Sequence, residues 1–289
     1  MRIKNVFIAG CGTMGMGIAQ VCAQSRLNVI MYDLSQEFLE TAVGKIKWSV
    51  SKLVEKGKIK GPVNEIMDRI NISTDINSVV NTDLVIEAIF EKIEIKNDFF
   101  ETIDKLAPEN TIFASNTSAI PISQLAAATN RPDKFLGLHF FNPVPMLAAV
   151  EVIKGISTSK ETFNLGKSFT EYIEKEPILV QNDMAGFILN RMNMLTNLEA
   201  MRLVENKVAT PEDIDKGMRL AFGRKMGPLE TSDLVGLDVQ LMAYTNVYDE
   251  EQDSRFYPPS ILRKKVFAGH LGRKTGRGWY EYNDGGSRK

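Results

Sequence analysis

Two cysteines, two histidines and two tryptophans are all that the 289 residues hold of these types. With only Cys11 and Cys22, and no second cluster of metal-ligand type beside them, a disulfide scaffold and a zinc site are both excluded, and a reducing compartment is expected. No run approaches the roughly 20 apolar residues of a membrane span. The first apolar stretch, Asn5 to Ala9, breaks at Gly10 and is too short for a secretory signal, so the expectation is a soluble, cytoplasmic protein. Neither sign of charge is in excess, with 35 Lys and Arg against 36 Asp and Glu. No whole-protein field therefore draws in nucleic acid or an anionic membrane, and any anionic ligand has to be caught by local structure. A hydrophobic share of 44% and a charged share of 25% are those of an ordinary globular chain, long enough for two domains.

The N-terminal half alternates short apolar runs with helical periodicity. Asn5 to Ala9 reads as a strand, Gly10-Cys11-Gly12-Thr13-Met14-Gly15 as a tight turn, and Met16 to Ser25 as a helix. A second strand, Val29 to Tyr32, ends in Asp33, eighteen residues after Gly15. In this arrangement the first glycine permits the turn, the second lets backbone approach a pyrophosphate, the third allows close packing, and the helix start offers N–H groups to the anion. Asp33 can accept from a ribose 2′-hydroxyl and repels a 2′-phosphate, which points to NAD rather than NADP. The plainer alternative is glycines that only shape a turn.

A long amphipathic helix is expected from Glu37 to about Lys60. Its lysines are those of a solvated face, yet Ser49 and Lys56, seven residues apart, share one side and can hold a phosphate-bearing substrate. Strands follow at Ile70 to Ser73, Leu84 to Ala88 and Thr111 to Ser115, with a helix from Ile93 to Leu106. Ligands of open parallel sheets lie outside the carboxyl ends of strands, so Glu91, Asn116 and Ser118 are candidates for the rim of a nicotinamide site; capping and turn formation also suit them. Lys134 to Leu138 leads as a strand into His139, and Val150 to Ile153 carries Glu151, twelve residues on. An imidazole titrating near neutrality with a carboxylate downstream is a candidate proton-transfer pair, although a histidine beside Phe140 and Phe141 also fits a satisfied core residue. A helix from Lys160 to Lys175 and a strand from Ile178 to Val180 complete a doubly wound, mostly parallel sheet over residues 1–183.

From residue 184 the pattern turns wholly helical. A long helix is expected from Phe187 to Val204, and others start near Pro211, Pro228 and Pro258. Five methionines, Met192, Met194, Met201, Met218 and Met226, thicken this half as core or subunit interface, and a homodimer through it is expected. Asn190 is polar among apolar neighbours and can donate to a carbonyl oxygen. The tail from Leu271 to Tyr280 reads as a basic, glycine-rich loop ending in aromatics that can reach back toward the active site or simply dock the C-terminus, and His270 before it as surface.

With GCGTMGMG, Asp33, Ser118, GLHFFNPVP, Glu151, GFILNR and GRKTGRGWY in this order, the chain resembles the 3-hydroxyacyl-CoA dehydrogenase family over essentially its whole length, on the side of the stand-alone bacterial 3-hydroxybutyryl-CoA type. The resemblance implies a Rossmann-type domain over 1–183, a helical substrate and dimerisation domain over 184–289, and hydride transfer between NAD and carbon 3 of an acyl-CoA. It implies His139 as acid/base, Glu151 as its partner, and Ser118 and Asn190 against the substrate oxygens. Gly10, Cys11, Gly12, Thr13, Met14, Gly15, Asp33, Glu91, Lys96, Asn116, Ser118, Asn142 and Lys274 stand for the cofactor, and Ser49, Lys56, Ser118 and Asn190 for the acyl-CoA; no metal is implied. Leu195 and the Arg224-Lys225 pair depart from the family pattern and touch helix packing rather than chemistry. Competing readings are a related sugar-acid 3-dehydrogenase, which has no use for a coenzyme A site, and a non-enzymic NAD-binding protein of the same fold.

Overall fold

The structure is a computed structural model and describes residues 3–289. It divides into two compact units, residues 1–184 and 185–289. Among the described residues of the first unit run β1 (Asn5–Ala9), α1 (Thr13–Gln24), β2 (Asn28–Tyr32), α2 (Gln36–Glu55), α3 (Val63–Met67), β3 (Ile70–Ser73), β4 (Leu84–Glu87) and α4 (Ile93–Leu106). They are followed by β5 (Ile112–Ser115), α5 (Ile122–Ala126), β6 (Phe135–Phe140), β7 (Ala149–Ile153), α6 (Lys160–Tyr172) and β8 (Glu176–Val180).

The strands form one sheet in the order β3-β2-β1-β4-β5-β6-β7-β8. The order reverses between β1 and β4, the crevice in which doubly wound sheets take ligands. β4, β5 and β6 are buried at every position, which is why they read as continuous apolar runs without alternation. Every neighbouring pair is parallel except β6 with β7, and this exception matters most for function. It sets His139 directly opposite Glu151. His139 thus lies inside a strand, one residue from its end, and not in the loop after it as the sequence pattern had it.

Two helix ends differ from the periodicity. α2 stops at Glu55, with Lys56 as its C-cap, because Gly57 turns left-handed at φ +64°; the lysines beyond are not helical. In the second unit the long helix, α7 (Leu189–Glu205), starts two residues late, because Gly186 and Phe187 take φ values of +75° and +48°. After it come α8 (Pro211–Phe222), α9 (Pro228–Val235), α10 (Leu237–Glu251) and α11 (Ser260–Phe267). α10 follows α9 across the single residue Gly236 and carries no proline or capping side chain to announce it.

The tail is pinned by two buried acids. Buried Asp233 accepts from the Trp279 and Tyr280 N–H groups at 2.8 and 3.0 Å and from the Tyr282 hydroxyl at 2.9 Å. Buried Asp215 accepts from the Leu229 and Glu230 N–H groups at the start of α9 and from the Tyr280 hydroxyl at 2.7 Å. Gly278 is required in this packing, since a Cβ there would stand 2.0 Å from the Asp233 carboxylate. His270 is half-buried rather than exposed.

Candidate active site

β1 ends at Ala9 and is followed by Gly10, and α1 begins at Thr13 with Gly12 as an N-cap that offers no side-chain cap. The first N–H groups of α1 are therefore presented outward, the arrangement that binds a phosphate. Gly10 sits at φ +94°, and a Cβ on Gly15 would stand 1.8 Å from the Gly10 carbonyl oxygen, so each glycine is required. Above Gly12 a Cβ would meet nothing within 4 Å: the space that a pyrophosphate needs is open. Asp33, just past β2, receives the Cys11 N–H and the Cys11 thiol on Oδ2, both at 3.0 Å, and the Ser35 N–H on Oδ1. Burial and the adjoining Asp33 carboxylate push the Cys11 thiol up to about 12, so it stays a donor and holds the acid in place.

The His139 Nδ1 and Glu151 Oε2 are hydrogen-bonded at 2.7 Å, with His139 5% exposed and Glu151 fully buried. The ladder alone brings these residues face to face, and the Phe141 ring packs against the imidazole in an edge-type contact with centroids 4.5 Å apart. Asn116 Oδ1 accepts the Phe140 N–H at 2.9 Å. Its side chain therefore ties β5 to the residue after His139, a use that neither capping nor a nicotinamide contact had suggested. The loop that follows, with Asn142 exposed and a cis Asn142–Pro143 bond, returns to the nucleotide helix: a Cβ on Gly17 of α1 would stand 2.7 Å from Val144. The histidine strand and the glycine turn thus share one end of the sheet.

At the carboxyl ends of β4 and β5 lies a charged group. Glu91 Oε1 accepts from the Thr117 hydroxyl at 2.6 Å and the Ser118 N–H at 2.9 Å, and its Oε2 meets the Lys96 ammonium at 3.1 Å. The Ser118 hydroxyl is 3.4 Å from the same Oε1. Lys96 is 1% exposed and also pairs with Glu87, the last residue of β4. Burial works to raise the Glu91 pKa, but the Lys96 charge and the Thr117 and Ser118 donors outweigh it and hold this carboxyl below its ordinary value. Glu87 did not stand out in the sequence, although a signal was there: an acid closing an otherwise apolar strand, Leu84-Val85-Ile86-Glu87.

Elsewhere in the first unit, the outward face of α2 exposes Lys45, Trp48, Lys52 and Lys56, with Ser49 half-buried among them. In the second unit Asn190 is the second residue of α7 and half-buried, and exposed Lys274 pairs with Asp238 at 2.7 Å.

Residues 5–184 match the family model of the 3-hydroxyacyl-CoA dehydrogenase NAD-binding domain, and residues 186–282 that of the C-terminal domain of the same family. The chain belongs to the 3-hydroxyacyl-CoA dehydrogenase family. It is 41% identical over 285 residues to the probable 3-hydroxybutyryl-CoA dehydrogenase of Bacillus subtilis, covering 98% of this chain and 99% of that one. It is also 41% identical to the human mitochondrial hydroxyacyl-coenzyme A dehydrogenase, covering 97% and 91%. The crystal structure of (S)-3-hydroxybutyryl-CoA dehydrogenase from Ralstonia eutropha superposes with a TM-score of 0.94 at 41% identity, over 98% of this chain and all of that one. The cradle of Gly10, Gly12 and Gly15 accordingly belongs to a domain that binds NAD.

Proposed function

We propose that this protein is an NAD-dependent (S)-3-hydroxyacyl-CoA dehydrogenase working on short chains, interconverting 3-hydroxybutyryl-CoA and acetoacetyl-CoA. The observation that carries the reading is the buried His139–Glu151 pair at the carboxyl end of the sheet, on a strand whose loop packs against the nucleotide helix. When bound, NAD supplies the acceptor or donor of the hydride at carbon 3. His139 takes the proton of the 3-hydroxyl through Nε2 in oxidation and returns it to the 3-keto oxygen in reduction. Glu151, on Nδ1, fixes the tautomer and favours the imidazolium that forms. Ser118, whose N–H Glu91 accepts, is read as a donor to the substrate oxygen, and Asn190 as a donor to the thioester carbonyl.

The lysines of α2 with Ser49 suit the phosphates of coenzyme A, which supports an acyl-CoA over a free sugar acid. Lys274 and Asn142 are read as cofactor contacts. The second unit exposes Leu220 at 77%, Phe222 at 74%, Met242 at 61% and Phe267 at 83%, which is apolar surface for a second copy of the chain. Residues 1–183 then hold the cofactor and 184–289 the acyl chain and the dimer contact. No helix among the described residues is long and apolar enough to cross a membrane, and we place the enzyme in the cytoplasm.

NADH oxidation assayed side by side with acetoacetyl-CoA, a longer 3-ketoacyl-CoA and a sugar acid tests the reading. Turnover strongest with acetoacetyl-CoA is expected; turnover with the sugar acid alone overturns it. Light scattering of the same preparation reports whether the chain is dimeric.

A further inference from the structure

Glu87 is fully buried, and every group around its carboxylate donates. Oε1 receives the Ile89 N–H at 2.8 Å and the Lys96 ammonium, and Oε2 receives the Ser115 hydroxyl at 2.6 Å. Lys96 reaches on to Glu91, so two carboxylates share one ammonium. Among the described residues Lys96 is the one cation paired with either acid, which leaves one negative charge in excess. Burying an unmatched charge is costly, and packing alone does not ask for it, because an apolar residue closes a strand end more cheaply. Neutral donors spread over both carboxylates hold the excess in place: the Ile89, Ser118 and Ala119 N–H groups and the Ser115 and Thr117 hydroxyls. The fold thus maintains a fixed negative charge at the carboxyl ends of β4 and β5, beside the crevice of the sheet.

We propose that the Glu87–Lys96–Glu91 cluster is a built-in countercharge for the cationic nicotinamide of the oxidised cofactor, with Glu87 as its buried anchor, and that it sets the ratio of NAD⁺ to NADH affinity. The inference rests on the dinucleotide reading above. Its physical basis is that the nicotinamide ring of NAD⁺ carries a positive charge, which the arriving hydride neutralises. A fixed negative charge nearby therefore acts on the oxidised form and hardly on the reduced one. Because the cluster is preorganised by hydrogen bonds, it needs no rearrangement as the ring changes charge. Glu87 touches neither substrate nor cofactor in this account; it is a positioning residue that acts through Lys96 and Glu91.

The experiment measures dissociation constants of NAD⁺, NADH and ADP-ribose for the wild-type protein and for Glu87→Gln and Glu87→Asp. For Glu87→Gln the ratio of the NAD⁺ constant to the NADH constant rises about five- to tenfold, while ADP-ribose, which lacks the nicotinamide, binds as before. Glu87→Asp, which keeps the charge and shortens the side chain, leaves the ratio within about twofold. A purely structural Glu87 makes both variants weaken NAD⁺ and NADH by the same factor, and that result overturns the proposal. If Glu87→Gln does not accumulate folded, Glu91→Gln, whose side chain is 40% exposed, is read by the same ratio and in the same direction. Failure of the wild-type protein to bind NADH or ADP-ribose at all refutes the dinucleotide reading instead.

Discussion

The two units bury carboxylates in opposite ways. In the first, Glu151 faces an imidazole, and Glu87 and Glu91 share an ammonium. In the second, Asp215 and Asp233 accept only from backbone N–H groups and tyrosine hydroxyls in their hydrogen bonds. Electrostatics records the difference. Burial raises both aspartates, and neither their neutral donors nor, at Asp233, the more distant Lys265 charge fully offsets it, whereas the Lys96 charge and local donors bring Glu91 below its ordinary value. Glu151, Glu87 and Glu91, at the carboxyl end of the sheet, are placed to handle charge, whereas Asp215 and Asp233 are fasteners, as is buried Asp104, paired with Arg131 at 2.6 Å away from the site. Asp33, half-buried with the Cys11 thiol and two N–H groups as donors, stands between the two kinds.

Removing a charge-handling partner should abolish turnover and spare the fold. His139→Gln is expected to lower kcat with acetoacetyl-CoA by about a hundred- to ten-thousandfold while NADH still binds. Glu151→Gln should follow with about a hundredfold loss or more, through the lost tautomer lock. Full turnover in either variant breaks the comparison at its first term.

The reverse holds for the fasteners. Asp233→Asn sets an amide NH₂ against at least one of the converging donors, so denaturant unfolding should report a loss of about 1–3 kcal/mol. An unchanged midpoint refutes the fastener role. For Asp33 the effect belongs to selectivity: Asp33→Ser should raise kcat/KM with NADPH relative to NADH by about tenfold, by removing the charge opposite a 2′-phosphate.

The smallest effect is in pH. The raised pKa of Asp233 means that the folded state holds this proton more tightly than the unfolded chain does. Its contribution to stability is therefore full below the unfolded value and lost as pH rises through the raised one. Acidification from neutral pH should recover about 2 °C of Tm or less in the wild-type protein relative to Asp233→Asn. A steeper recovery in the variant contradicts the assignment.

Much of the site was legible along the chain because its chemistry is local. Gly10, Gly12 and Gly15 work through one turn and the helix that follows, and Asp33 comes from the very next strand end. The His139–Glu151 pair was readable as two residue types at a spacing, but not as a contact. Glu87 and Asn116 were harder to see: nothing marked the first, and the second suited a nicotinamide rim or a cap, since their partners Lys96, Ser115 and Phe140 arrive from other elements. The tail looked like a loop for the same reason, its fasteners lying more than forty residues upstream.

The sequence by itself determined the alternation of strands and helices, the glycine turn, the acid at the end of the second strand and the change to an all-helical second half. All of these follow from local periodicity and backbone conformation. Tertiary structure alone decided that β6 and β7 run antiparallel, so that an imidazole meets a carboxylate across a ladder, and that one lysine serves two buried acids at the strand ends. Register between strands and the pairing of buried charges depend on which elements become neighbours, and no residue carries that information within its own stretch of chain.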